Sequence, residues 1–261
     1  MKQIDLKTWE EFEAEVERLN SFLSGQKRHG ANDVAKPLFR GQSLACWQLK
    51  TSLERYLDRD VSATQYNQYL LKIKSAVEAY TGRSWTVDRD IEVNDASMYS
   101  VPNYEFMLYA RHHGFPSPLL DWSQSPYIAL FFAFQNADPA KRVSIFVYVD
   151  DLGNEIGGIV GEPQIRVMES YVSSHRRHFM QQSKYTIATE NVKDKWMYCS
   201  HEKYFSGATD DDQDMLIKFT LPGELKNKYL QKLQLMNINA FTLYGTDESL
   251  MDMLAFKEII E

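Results

Sequence analysis

The sequence predicts a single α+β domain, with helices packed on a central sheet. Three observations carry that expectation. Apolar residues recur at spacings of three and four in some segments and form short continuous runs in others. No internal repeat, low-complexity tract or linker-like stretch divides the chain. The 261 residues are 44% hydrophobic and 25% charged, a globular composition long enough for one sizeable core.

The elements follow in order. Residues 6–23 read as an amphipathic helix, with Trp9, Phe12, Val16, Leu19 and Leu23 on one face and Thr8 and Glu11 in a capping-box pattern. Residues 26–32 form a polar connector, and 37–41 a short strand entering a turn. Residues 52–80 are helical in pattern, and 81–101 a polar loop with a short helix. A helix over 103–111 ends at Gly114 and Pro116. Residues 119–122 are short and apolar. Ser125 is an N-cap with Pro126 at the first helical position, which starts a buried helix over 126–135. Residues 143–150 are apolar throughout, which predicts a central strand. Strands are expected at 185–188, 215–221 and 240–244, and helices at 222–236 and 248–259.

Composition excludes several function classes. The formal net charge of -7 argues against a protein that grips nucleic acid over its whole surface. A local basic groove remains open, built from Arg111, Lys141, Arg142, Arg166, Arg176, Arg177 and Lys184. The acidic run Asp210-Asp211-Asp212 with Asp214 reads as a solvated loop or a dock for a basic partner. Cys46 and Cys199 form no disulfide framework and no zinc-ligand spacing. The charged N-terminus is not a signal peptide, and no apolar run reaches the ~20 residues of a membrane helix. A cytoplasmic protein is expected. His175, His178 and His201 lack diagnostic metal spacing, so no metal is expected.

The richest stretch is residues 109–134, where histidines, an aspartate, a tryptophan and serines precede an apolar run. Buried polar groups cost free energy unless paired, so the cluster is a structural network or a site. It reads Arg111-His112-His113-Gly114-Phe115-Pro116-Ser117-Pro118-Leu119-Leu120-Asp121-Trp122-Ser123-Gln124-Ser125-Pro126, then Ala129, Leu130, Phe132 and Ala133. Upstream stand Phe39-Arg40-Gly41, Gln42, Ser43 and Trp47. Downstream are Arg177, Gln181, Gln182, Tyr185 and Thr186, and then residues 233–250. In this order the residues resemble the FRG-domain family, named for its Phe-Arg-Gly signature. Against the family pattern Arg111 replaces glutamine, Pro118 replaces arginine and Ser183 replaces glycine.

The resemblance implies a domain at 35–261 behind an N-terminal helical extension at 1–34. It also implies bacterial defence or toxin–antitoxin settings, and a more distant similarity to ADP-ribosyltransferases. The sheet would then be a central mixed sheet resembling an ADP-ribosyltransferase split sheet, with N-terminal and peripheral helices. Arg40 takes the place of the arginine after the first strand, the segment 121–133 that of the serine-bearing strand and helix, and Gln181 that of the glutamate on a later strand.

Transfer of ADP-ribose from NAD requires a grip on the pyrophosphate, a hold on the nicotinamide and stabilisation of a developing oxocarbenium. Arg40 suits the first task, or pairs with a carboxylate in the fold. Gln42 and Ser43 are candidates to orient the ligand. His112 is a candidate proton shuttle or a satisfied core histidine. His113 reads as structural. Asp121 orients His112 or an arginine, assists the leaving group, or braces a turn. Trp122 stacks on a ligand ring or packs in the core. Ser123 is a ligand contact, and Ser125 a ligand contact or an N-cap. Gln181 or Gln182 orients a ribose or nucleophile, and Glu248 is a fallback carboxylate or a helix cap. The expected function is an ADP-ribosyltransferase-like toxin or antiphage defence effector that uses NAD, with RNA (mRNA) preferred over protein as acceptor. Its expected partners are an antitoxin and a chaperone. The alternatives are a non-catalytic ligand-sensing or protein-interaction module, and a hydrolase or nuclease built on His112 and Asp121.

Overall fold

Nine strands form one mixed sheet among the described residues of the computed structural model, which are 1–25, 35–57, 59–88, 101–150, 163–168, 177–207 and 214–260. In chain order the elements are β1 (Lys2–Asp5), α1 (Trp9–Ser24), β2 (Leu38–Gln42), α2 (Ser52–Tyr56), β3 (Val61–Ser62), α3 (Ala63–Thr81), α4 (Tyr104–His112), β4 (Leu119–Ser123), α5 (Pro126–Phe134) and β5 (Arg142–Val149). Then follow β6 (Gln164–Met168), α6 (Arg177–Met180), β7 (Ser183–Val192), β8 (Lys195–Tyr198), α7 (His201–Gly207), β9 (Met215–Pro222), α8 (Lys226–Leu235), α9 (Ala240–Tyr244) and α10 (Asp247–Ala255). The strand order is β1-β9-β5-β2-β4-β7-β8-β3, with β6 also paired to β7. Only β1 and β9 run parallel. No described helix is long and apolar enough to cross a membrane.

Alternation along the central strands assigns the two faces. Val143, Ile145, Val147 and Val149 of β5, with Ile217, Phe219 and Leu221 of β9, join Phe39 in a core covered by α1, α5 and α8. Leu38, Phe146, Tyr148 and Leu216 point to the opposite face, where they meet Leu49, Leu120 and Trp122. A third cluster packs α3 and α4 against Leu119, Tyr185 and Ile187.

Two sheet halves meet at a narrow seam. β2 pairs with β5 over five residues and β4 with β7 over five, but β2 and β4 share one pair, Phe39 with Ser123. Past that pair the strands diverge, and the Asp121 carbonyl accepts a 2.7 Å hydrogen bond from Arg40 Nη1. An arginine side chain thus replaces the missing ladder bond, since a buried carbonyl needs a partner.

Gly41 allows this arrangement on the other face. A Cβ there would lie 1.9 Å from the Ala129 carbonyl oxygen and 2.6 Å from the Ala133 nitrogen, both in the backbone of α5. At Gly41 the backbone of helix α5 therefore rests directly on that of β2.

Several expectations are corrected. Residues 240–244 form helix α9 rather than a strand. Asn239 and Thr242 cap each other's backbone N–H groups, and Gly245 closes the helix at a φ of 64°. The single helix expected at 52–80 is two helices with β3 between them, because Thr51 and Ser62 each open a capping box. Arg40 lies inside β2, not at a strand end, because pairing with β5 continues to Gln42. Gln181 does not lie on β7. It sits in the turn before it, where Gln182 adopts a φ of 48°. Strand β1 went unread because three of its four residues are polar and exposed, and Ile4 alone turns to the core. Arg142 cannot serve a basic groove, since it donates to Thr220 and to the Leu6 carbonyl. The acidic run 210–212, His175, Arg176 and residues 89–100 of the loop with a short helix expected at 81–101 lie outside the described residues.

Under the seam, Trp122 Nε1 donates to Thr186 Oγ1 at 2.7 Å, and that hydroxyl lies 2.8 Å from His201 Nε2. Burial, with the nearby Arg40 charge, pushes the His201 pKa down to about 3. It is therefore neutral when folded and binds a proton more readily when unfolded, so its contribution to stability is complete above about pH 6.5 and lost as pH falls toward 3.

Two outcomes follow for denaturation experiments. Gly41→Ala is expected to lose about 3 kcal/mol or more in urea unfolding, whereas Gly114→Ala, at a φ of 89° with open space around it, loses only about 1–2 kcal/mol. Between about pH 6.5 and 4.5 the wild type is expected to lose up to about 1.4 kcal/mol of stability per pH unit through His201, and His201→Gln to flatten that slope.

Candidate functional site

The diverging strands open a cleft of about 1050 Å³. Strand β2 contributes Arg40 and Gln42 from the face opposite α5, and the segment after it contributes Ser43, Cys46 and Trp47. Arg111 and His112 come from the last turn of α4, Asp121, Trp122 and Ser123 from β4, and Arg55 from α2. Arg177, Gln181 and Tyr244 close the far end. Arg40, Gln42, Ser43, His112, Asp121, Trp122, Ser123 and Gln181, which are distant in sequence, thus line one space.

Charge is lopsided there. Arg40, Lys50, Arg55, Arg111 and Arg177 line the cleft with a single carboxylate, Asp121, among the described residues. Arg111 is 10% exposed and Asp121 45% exposed at the side chain. The guanidinium forks onto the carboxylate, with Nε donating to Oδ1 and Nη2 to Oδ2, while Nη1 donates to Ser52 Oγ at 3.0 Å. Burial alone would raise the Asp121 pKa. The Arg111 charge and hydrogen bonds outweigh it, with Arg40 and His112 in support, and hold Asp121 at about 2. Asp121 is therefore an anion at neutral pH, and its partner is the arginine that stands where the family pattern has glutamine.

Arg40 is surrounded by positive charge. Burial first, and then Arg111 and Arg55, lower its pKa to about 10 against the pull of Asp121, so it remains charged. Its Nε is buried with no hydrogen-bond acceptor. Gln42 is 6% exposed and donates from Nε2 to the Gln48 carbonyl at 3.3 Å. A carbonyl can only accept, which orients the amide and leaves Oε1 buried and unpartnered. Such atoms cost free energy unless a ligand or water meets them.

Other candidates have structural duties. Ser125 does not line the cleft. Its Oγ accepts from the Ile128 N–H at 3.3 Å and caps α5. Ser123 Oγ donates to the Gln181 carbonyl at 2.7 Å and accepts from the Ser125 N–H. Gln181 Nε2 donates to the Leu243 carbonyl, tying the turn to α9. Trp122 packs its ring against Tyr148 at 5.7 Å, so only part of it faces the cleft. Glu248 lies in the first turn of α10 and is not among the residues that line the cleft, and Thr246 caps that helix. His113 packs on Tyr109 at 4.4 Å.

The sequence reading missed Arg55 and the role of Trp47, which lines the cleft while 50% exposed. It also missed the buried Tyr185 hydroxyl behind His112. The spacing of Arg55 carries no signal. Trp47, in a segment without periodicity, carries a weak one.

No curated protein and no solved structure matches the chain. Residues 35–142 match the FRG domain. That span runs from just before β2 to the start of β5 and includes Phe39-Arg40-Gly41, the Arg111–Asp121 pair and all of α5. Strand β2, the stitched seam and the buried helix α5 thus all fall within the stretch that is similar to the FRG domain.

Proposed function

We propose that the cleft binds NAD and that the protein is an ADP-ribosyltransferase-like effector that modifies a macromolecule, with RNA as the preferred acceptor. One observation carries the reading: five cationic side chains and one carboxylate line a cleft large enough for a dinucleotide. A site with that excess of guanidinium favours a polyanion, and a pyrophosphate matches the planar fork of arginine. The buried Arg40 Nε and Gln42 Oε1 add an unmet donor and an unmet acceptor near the same floor. Trp47 offers a half-exposed ring on which a base or nicotinamide can stack.

The chemistry that NAD supplies is a glycosidic bond whose cleavage releases nicotinamide and leaves C1′ open to an acceptor. The chain's part is to hold the phosphates with Arg40 and Arg55, to place the ionised Asp121 near developing positive charge, and to move a proton through His112. In a toxin–antitoxin setting an antitoxin and a chaperone would restrain the protein until it is needed.

A second reading is a ligand-sensing module without turnover. It is favoured by one fact: Asp121, the single described carboxylate of the cleft, is already forked by Arg111, and Gln181 has committed its amide to α9.

Incubation with labelled NAD and RNA or cell extract separates the two. The wild type is expected to label RNA and release nicotinamide. Label on protein keeps the class and changes the acceptor. Binding by calorimetry without nicotinamide release favours the sensing module, and no binding overturns both. Arg55→Gln, at a residue outside the seam, is expected to weaken NAD binding about tenfold through loss of one charged contact. Arg40→Lys, which keeps a charge but not the fork, is expected to weaken it at least as much. Circular dichroism should report both variants as folded.

A further inference from the structure

Behind the cleft wall three side chains form a hydrogen-bonded chain. His112 Nε2 lies 2.9 Å from Tyr185 Oη, and the same hydroxyl lies 2.8 Å from His178 Nδ1. His112 lines the cleft, Tyr185 is wholly buried and His178 is 2% exposed. The two imidazoles meet edge to face, with centroids 4.5 Å apart. Elements α4, β7 and α6 supply one residue each.

Counting hydrogens limits what this chain can do. Burial, with the Asp121 charge in second place, pushes the Tyr185 pKa up, so the residue stays a phenol with one hydroxyl hydrogen. Ser183 also hydrogen-bonds that hydroxyl, which has two lone pairs and one hydrogen; with the hydrogen given to one imidazole, it accepts from the other. Whichever histidine accepts, the other carries a proton on the nitrogen that faces Tyr185. The tautomer of a cleft histidine is therefore coupled to that of a buried one, in opposite senses.

We propose that Tyr185 and His178 are positioning residues that form a proton relay behind His112, ending on the buried imidazole. The proposal rests on the transferase reading for its chemical step. At rest His112 holds its proton on Nε2 and donates to Tyr185, which donates to His178 Nδ1. As an acceptor hydroxyl bonds through its oxygen lone pair to C1′, its proton passes to His112 Nδ1. The Nε2 proton moves to Tyr185 Oη, and the tyrosine's own proton moves to His178 Nδ1. One proton enters and one arrives: His112 ends neutral, Tyr185 ends a phenol and His178 ends an imidazolium. The glycosidic electron pair leaves with nicotinamide. Asp121, Tyr104 and Arg111 act on Tyr185, and Asp121 acts on His112; the forked pair of Asp121 and Arg111 limits the field that they impose.

The test is nitrogen-15 NMR of histidine-labelled protein without ligand, joined to NAD turnover. The wild type is expected to show His112 protonated on Nε2 and His178 accepting at Nδ1. Tyr185→Phe is expected to release the His112 tautomer and to slow turnover. His178→Gln keeps an acceptor for Tyr185 but no proton sink. It is expected to retain the His112 tautomer, slow turnover about tenfold or more and shift its pH profile. A wild-type His112 unprotonated at Nε2, or a tautomer unchanged in Tyr185→Phe, overturns the relay while NAD turnover stands. The expected tautomers without any NAD turnover overturn the relay's chemical role together with the transferase reading.

Discussion

The hydrogen bond from Arg40 to the Asp121 carbonyl is the interaction on which the rest of the architecture turns. One residue pair joins the two halves of the sheet, and beyond it the strands separate. A continuous ladder would close the cleft, and a free carbonyl would destabilise β4. The guanidinium spans the gap and leaves room above it. The same cation also shapes the electrostatics: it helps to hold Asp121 ionised, and it adds to the burial that keeps His201 neutral beneath the seam.

That dual duty explains the spacing of the signature. Phe39, Arg40 and Gly41 alternate across a strand, so Phe39 and Gly41 face α5 while Arg40 faces the cleft. Phe39 fills the core, Gly41 lets the helix backbone touch the strand, and Arg40 ties the second half-sheet. Three neighbours in sequence act on three separate contacts because a strand sends successive side chains to opposite faces.

Much of this was legible before any coordinates, and the reasons differ by element. Strand β5 announced itself by an apolar run interrupted by Ser144, and α5 by Ser125-Pro126 ahead of an unbroken one. The gathering of Arg40, His112 and Asp121 followed from motif order rather than from spacing. Helix α9 was misread because Ala240-Phe241-Thr242-Leu243-Tyr244 has strand-like composition, whereas its state is decided by Asn239 and Gly245 at its ends. The fork of Arg111 onto Asp121 was open, since ten residues of separation say nothing about facing directions. The Tyr185 hydroxyl was invisible, because a tyrosine in an apolar strand reads as packing until its partners are seen.

The contact of α5 with β2 has a mechanical consequence. At Gly41 no side chain separates the two backbones, so helix and strand lack a soft layer there in which to slide and move as one plate. Any widening of the cleft must then come from the plate that holds β4 and β7, pivoting about Phe39 and Ser123. A guest that draws Arg40 toward itself loosens one of the side-chain clasps across that pivot, beside those from Arg177 and Gln181 to α9, so occupancy and the angle between the two plates are coupled through that arm.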